Sequence, residues 1–268
     1  MSLISATTKK YRFLAPLFML AIFWFAYIFN FINIQGLFFS FILFILSANA
    51  FTQKKMILKI IFNLAFFIFG LFFLFHKIPG IFNINIFHHY ELSPNSYPYS
   101  LYFNFDKLLF GFLTLYFSQM ALDKRTLKQN FRLLFQFFLL TCLILFCAAY
   151  LLNFIRYDFK IYSFTPLWFI HNFFLTVLIE ETIFRGYILK KLLNTRQIGA
   201  FVAISLSAVL FGICHFNGGA RLIILATIAG IFYGLVYLKT KHLQYSVLLH
   251  AAVNLTHFIF FSYPAWKI

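Results

Sequence analysis

Residues 134–154 read LFQFFLLTCLILFCAAYLLNF, a stretch with no acidic or basic side chain. It is long enough for a transmembrane helix, which needs about 20 mostly apolar residues. Eight further apolar runs surround it, at 13–32, 37–51, 56–75, 108–122, 165–189, 198–215, 221–238 and 243–261. The chain has 268 residues, of which 63% are hydrophobic and 10% charged, with a mean hydropathy of +0.88. A soluble domain would carry about 25% charged residues. The pattern predicts an all-α, polytopic transmembrane helical bundle of about nine spans, or eight if one of the short runs at 37–51 and 108–122 does not cross.

The formal net charge of +16 does not point to nucleic acid, because the basic residues sit at the ends of apolar runs and form no stripe among exposed aromatics. With the N-terminus inside, fifteen of the 22 Lys and Arg fall on cytoplasmic flanks and six on the opposite side. Arg185 stays within a span. Cytoplasmic loops of membrane proteins are enriched in Lys and Arg, so the expected orientation is N-in and C-out. The start MSLISATTKKYRF leads into an apolar run with no small-residue cleavage site, so a retained anchor is expected in place of a signal peptide. Cys142, Cys147 and Cys214 lie in apolar segments, and no disulfide framework is expected. Residues 76–107, with HHYELSPNSYPYS at their centre, read as a re-entrant or interfacial loop. His88 and His89 with one nearby Glu make a weak metal signal. Lone histidines such as His171 and His257 read as interhelical hydrogen-bonding groups.

Only Glu180 and Glu181 of the six acidic residues interrupt an apolar run, in VLIEETIFRGY at 177–187. A carboxylate at the centre of a bilayer costs at least about 2.5 kcal/mol. Glu181 and Arg185 are four apart, share a helical face and can pair. Glu180 points about 100° away from that pair. Phe211 and His215 in LSAVLFGICH repeat the spacing of four, as do His250 and Asn254 in LLHAAVNLTH. Measured from the turn at Arg196, Glu180 lies ~24 Å back and His215 ~28 Å on, whereas His250 is only ~15 Å from its own turn. The three meet at one depth if the turn before His250 sits deeper.

A carboxylate and an imidazole on neighbouring helices can share the proton of a water and make it nucleophilic. A second imidazole and a carboxamide can donate to the oxyanion formed when water attacks a peptide carbonyl. Glu180, His215 and His250 also resemble a catalytic zinc shell, although no H-E-x-x-H is present. Structural hydrogen bonding between helices is the plain alternative for such residues.

EETIFR (Glu180–Arg185), FGICH (Phe211–His215) and HAAVN (His250–Asn254), in this order in successive apolar runs, resemble the motifs of the CPBP family. This family comprises the type II CAAX prenyl endopeptidases and the related Abi proteins of bacteriocin processing and self-immunity. The resemblance covers about residues 165–261. It implies a catalytic region at 161–268 preceded by a transmembrane region, 1–160, of unassigned role. It implies an intramembrane endopeptidase in which Glu180 and His215 activate water and His250 and Asn254 stabilise the oxyanion. Glu181 and Arg185 would be the supporting ion pair, and Phe211 would pack at the site. No cofactor is required on the metal-free reading; on the metal-dependent one, Glu180, His215 and His250 would hold a divalent ion such as zinc. The implied partners are the bilayer and a membrane-anchored protein or peptide, prenylated or carrying a C-terminal sorting signal, and the implied location is a bacterial inner membrane. A non-catalytic immunity or scaffold protein and a proton-coupled transporter are the rival readings. Transporters often carry internal repeats, and none is evident. Gly230 and Gly234 form a G-x-x-x-G, read as close packing within the chain. The HFNGGA turn after His215 would let backbone approach a substrate.

Overall fold

A computed structural model describes residues 14–118 and 130–267. Nine helices are found among them: α1 Leu14–Ile28, α2 Ile34–Thr52, α3 Met56–Leu74, α4 Phe105–Ser118, α5 Phe131–Leu151, α6 Thr165–Leu193, α7 Ala200–Ile213, α8 Gly219–Thr240 and α9 Leu243–Phe260. Each apolar run of the sequence carries one of these helices. Among the described residues, five segments are long and apolar enough to cross a membrane: α2, α3, α5, α6, and α8 with the turn before it. The flanking cations Lys9, Lys10, Arg12, Lys124, Arg125 and Lys128 lie outside the described residues.

The helices turn apolar side chains outward. Leu151 is 80% exposed and Phe201 83%, as lipid-facing residues are. The protein is an integral membrane protein.

Two compact units divide the described chain: residues 14–84 with 103–110, and residues 85–102 with 111–267. In the first, α2 packs along α3. Asn33 caps α2, its Oδ1 accepting from the backbone N–H groups of Gln35 at 2.9 Å and Gly36 at 3.1 Å. Asp106 is buried and accepts from His76 Nδ1 at 2.8 Å and from Asn83 Nδ2 at 3.2 Å. The interfacial loop expected at 76–107 instead contains a two-stranded sheet, β1 Ile84–Tyr90 paired with β2 Tyr99–Phe103. β1 is exposed along nearly its whole length, so it carries no in–out alternation to announce a strand.

In the second unit, α7 packs along α8, and α8 and α9 both pack against α5. The expected close approach of α8 to its neighbours is found: a Cβ on Gly230 would lie 3.1 Å from the Ala208 backbone of α7. At one end of this unit, residues 153–162, 259–267 and 92–102 are laced together. Asp158 and Lys160 donate from their backbones to Phe260 and Ile259, Trp266 to Phe154, and Tyr97 to Ala265. Trp168 stacks on Phe258 at 4.0 Å with Tyr263 edge-on at 5.7 Å, and the Tyr99 ring lies 5.1 Å from that of Tyr263. Burial pushes the Tyr99 phenol up to about 12. His171 belongs to the same frame, its Nε2 2.9 Å from the Tyr102 carbonyl of β2, so it joins a helix to a strand and not to another helix. The three cysteines are free.

Candidate active site

The long helix α6 begins with Pro at its first turn and supplies the acidic pair. It is not a uniform α-helix. Leu178–Glu181 is α-helical, but Asn172–Val177 before it and Thr182–Leu189 after it are π-helical. Such wider turns inside α-helices recur at functional sites. Asn172, Thr176 and Glu180, spaced by four, line one cavity wall.

Glu181 and Arg185 pair as their spacing predicts, Nη1 to Oε1 at 2.8 Å, with both side chains fully buried. The guanidinium also donates from Nη2 to the Gly230 carbonyl at 2.9 Å. Its carbon lies 4.6 Å from the Phe211 ring centre and 5.2 Å from that of Tyr233. A buried charge is tolerable only when paired and hydrogen-bonded. A Cβ on Gly230 would sit 3.2 Å from Nη2, as well as close to Ala208.

The same Oε1 of Glu181 lies 2.9 Å from Nδ1 of His250, on α9. A carboxylate can only accept, so Nδ1 of His250 carries a proton. Tyr233 stacks on the imidazole at 4.5 Å and Phe211 meets it edge-on at 5.8 Å. His215 follows the C-terminal end of α7, its Nδ1 2.7 Å from the Phe211 carbonyl. The carbonyl accepts, so here too Nδ1 is protonated. Asn254 donates from Nδ2 to Oδ1 of Asn172 at 3.3 Å.

Leu243, at the start of α9, packs in the same core as Leu189 and Ala203, on either side of the α6–α7 turn. Lys241 makes the α8–α9 turn in the left-handed region, at φ 61°.

Glu180, His215, His250 and Asn254 all line one cavity of about 880 Å³, with Asn172, Thr176 and His257. Glu180 is 8% exposed and His250 4%. The HFNGGA turn forms part of the rim, and Gly219 holds φ +78° there, which favours glycine. A second, mostly apolar cavity of about 110 Å³ adjoins His215 and His250, walled by Leu145, Phe146 and Ala149 of α5 and by Leu225 and Ala229 of α8. Phe211 touches His215, His250 and Arg185 together, and so packs at the junction of all three motifs.

Residues 162–256 match the family model for Rce1-like type II CAAX prenyl endopeptidases. The matched, Rce1-like region contains all three motifs, from Glu180 to Asn254, and covers about a third of the chain. Among curated proteins and among solved structures, none matches.

The alternative metal set was Glu180, His215 and His250. Among the described residues, no three His, Cys, Asp or Glu side chains are grouped so as to hold a metal ion. Glu180, His215 and His250 share a cavity, and each imidazole bonds through Nδ1, His250 to Glu181 and His215 to a carbonyl.

Asn172 and Tyr233 were missed in the sequence. Asn172 could have been found, since it stands eight residues before Glu180, with Thr176 midway, in an apolar run. Tyr233 carries no such mark, because an aromatic residue is ordinary in a membrane helix.

Proposed function

We propose that the protein is an intramembrane endopeptidase of the CAAX-protease type that hydrolyses a peptide bond near the anchored end of a membrane-bound substrate. Residues 161–268 form its catalytic region. The observation that carries this reading is the convergence of Glu180, His215, His250 and Asn254, from three motifs on α6, α7 and α9, on one cavity large enough for an extended peptide segment.

Water entering the cavity hydrogen-bonds to Nε2 of His215 and to the Glu180 carboxylate. Glu180 accepts a proton as the water oxygen bonds to the scissile carbonyl carbon. The carbonyl oxygen becomes an oxyanion, which receives hydrogen bonds from Nδ2 of Asn254 and from His250. Nδ1 of His250 stays bonded to Glu181, which orients the ring for this role. Glu180 returns its proton to the amide nitrogen, the C–N bond breaks, and an amine and a carboxylic acid leave. Arg185 holds Glu181 in place and takes no part in proton transfer.

The test is cleavage of a set of membrane-anchored peptides by the protein reconstituted in lipid, compared with His215→Ala and repeated with a chelator. The reading expects cleavage by the wild type, loss with His215→Ala, and no effect of the chelator. Full cleavage by His215→Ala contradicts the assigned site, and inhibition by the chelator contradicts the metal-free route.

A further inference from the structure

We infer that the cavity is entered from the extracytoplasmic side, so that the substrate is a translocated, membrane-anchored polypeptide whose scissile bond lies on the outer face. This rests on the hydrolase reading above and adds the side from which its substrate comes. Three observations within the second unit carry it.

The first is the position of the opening. Beyond Glu180 and His250 the cavity wall is formed by Tyr97, Phe154, Asn217, Arg221 and Trp266. All belong to the end where residues 92–102, 153–162 and 259–267 are laced together, or to the α7–α8 turn. Tyr97, Asn217 and Arg221 are exposed, whereas Glu180 and His250 are buried.

The second is the seal at the other end. Leu189, Ile204, Tyr237, Leu243, Val247 and Ala251 form a tightly packed apolar core around the α6–α7 and α8–α9 turns. The length of α7 explains the asymmetry. Its 14 residues extend about 21 Å, short of the roughly 30 Å of hydrocarbon. It therefore stops inside the membrane, and His215 stands at the floor of the vestibule that the missing turns leave.

The third is charge. The sealed end carries Arg132, Lys190, Lys191, Arg196, Lys239 and Lys241, and the sequence adds Lys124, Arg125 and Lys128 just before α5. The open end has Arg156, Lys160, Arg221 and Lys267, two of them paired with acids: Lys160 with Asp158 at 3.1 Å and Lys267 with Glu91 at 3.4 Å. The sealed end is thus the cytoplasmic one by the excess of Lys and Arg that sets orientation. A tail tethered to the cytoplasmic leaflet meets the closed face.

The experiment uses the full chain with Cys142, Cys147 and Cys214 replaced by Ser. A single new cysteine is placed at the open end, Tyr157→Cys, or at the sealed end, Gln197→Cys. Both positions are exposed and outside the cavity. A membrane-impermeant maleimide should label Tyr157→Cys in intact cells and Gln197→Cys only after permeabilisation. The reverse pattern overturns the inference. In the same cells, two anchored reporters present one cleavable sequence on either side of the membrane. Only the reporter facing outward should be cut; cutting of the inward reporter alone overturns the inference. Labelling as expected with neither reporter cut overturns the hydrolase reading and leaves the sidedness of the cavity standing.

Discussion

Oε1 of Glu181 accepts from Nδ1 of His250 at 2.9 Å and from Nη1 of Arg185 at 2.8 Å, so one buried carboxylate oxygen ties α9 to α6. The pair of glutamates is thereby divided between two tasks. Glu181 is enclosed and holds other groups in position, while Glu180 lines the cavity.

Removing Glu181 leaves Arg185 charged, fully buried and without its counterion. Breaking such a pair from one side costs about 3–5 kcal/mol, because the remaining charge is uncompensated. Glu181→Ala should therefore unfold at a clearly lower temperature in detergent than the wild type. Glu181→Gln, which retains an acceptor oxygen, should fall between the two. Equal melting of all three contradicts a structural role for this carboxylate.

Asn172 accepts from Asn254 and fixes the plane of its carboxamide. Asn172→Leu keeps the volume and removes the acceptor. On the proposed mechanism it should lower kcat by about tenfold, worth roughly 1.4 kcal/mol of transition-state stabilisation, with KM nearly unchanged. In the Asn254→Ala background the same substitution should have no further effect. Independent, additive losses show instead that Asn172 acts elsewhere.

Gly230 packs where α8 crosses α7 and Arg185. A Cβ at this position meets Ala208 at 3.1 Å and Nη2 of Arg185 at 3.2 Å, so the helices must separate slightly. Gly230→Ala should destabilise by about 1–3 kcal/mol, the usual cost of overpacking. Gly199, at the start of α7, has nothing within 4 Å of an added Cβ and provides the control. Thermal unfolding reads both variants; a Gly230→Ala protein as stable as Gly199→Ala contradicts the close crossing.

Burial raises the Tyr99 phenol from its usual 10 to about 12. An acid with a raised folded pKa contributes stability that is complete below the unfolded pKa and is lost as pH rises through the folded one. Alkaline destabilisation between pH 10 and 12 should therefore be smaller in Tyr99→Phe, by at most about 2 kcal/mol. Identical alkaline unfolding curves for the two proteins contradict this assignment.

The helices were legible because a membrane span must satisfy its backbone internally and turn apolar side chains to lipid, which leaves long uncharged runs in the sequence. The Glu181–Arg185 pair was legible because a spacing of four fixes a shared face. Two features were hidden. The sheet at 84–103 has strands of mixed polarity with little buried surface, so neither periodicity nor burial marks it. The partner of His250 is Glu181, 69 positions away, and a contact at that separation follows from how α9 packs against α6. The π-helical turns on either side of Glu180 leave no mark in residue type.

The most direct measurement is the turnover number of Glu180→Gln on a membrane-anchored peptide that the wild type cleaves, with the melting temperature of each protein taken in the same detergent. The carboxamide preserves shape and hydrogen bonding but cannot take the proton of water. The account predicts an undisturbed fold and the loss of cleavage. Turnover by Glu180→Gln equal to that of the wild type contradicts it.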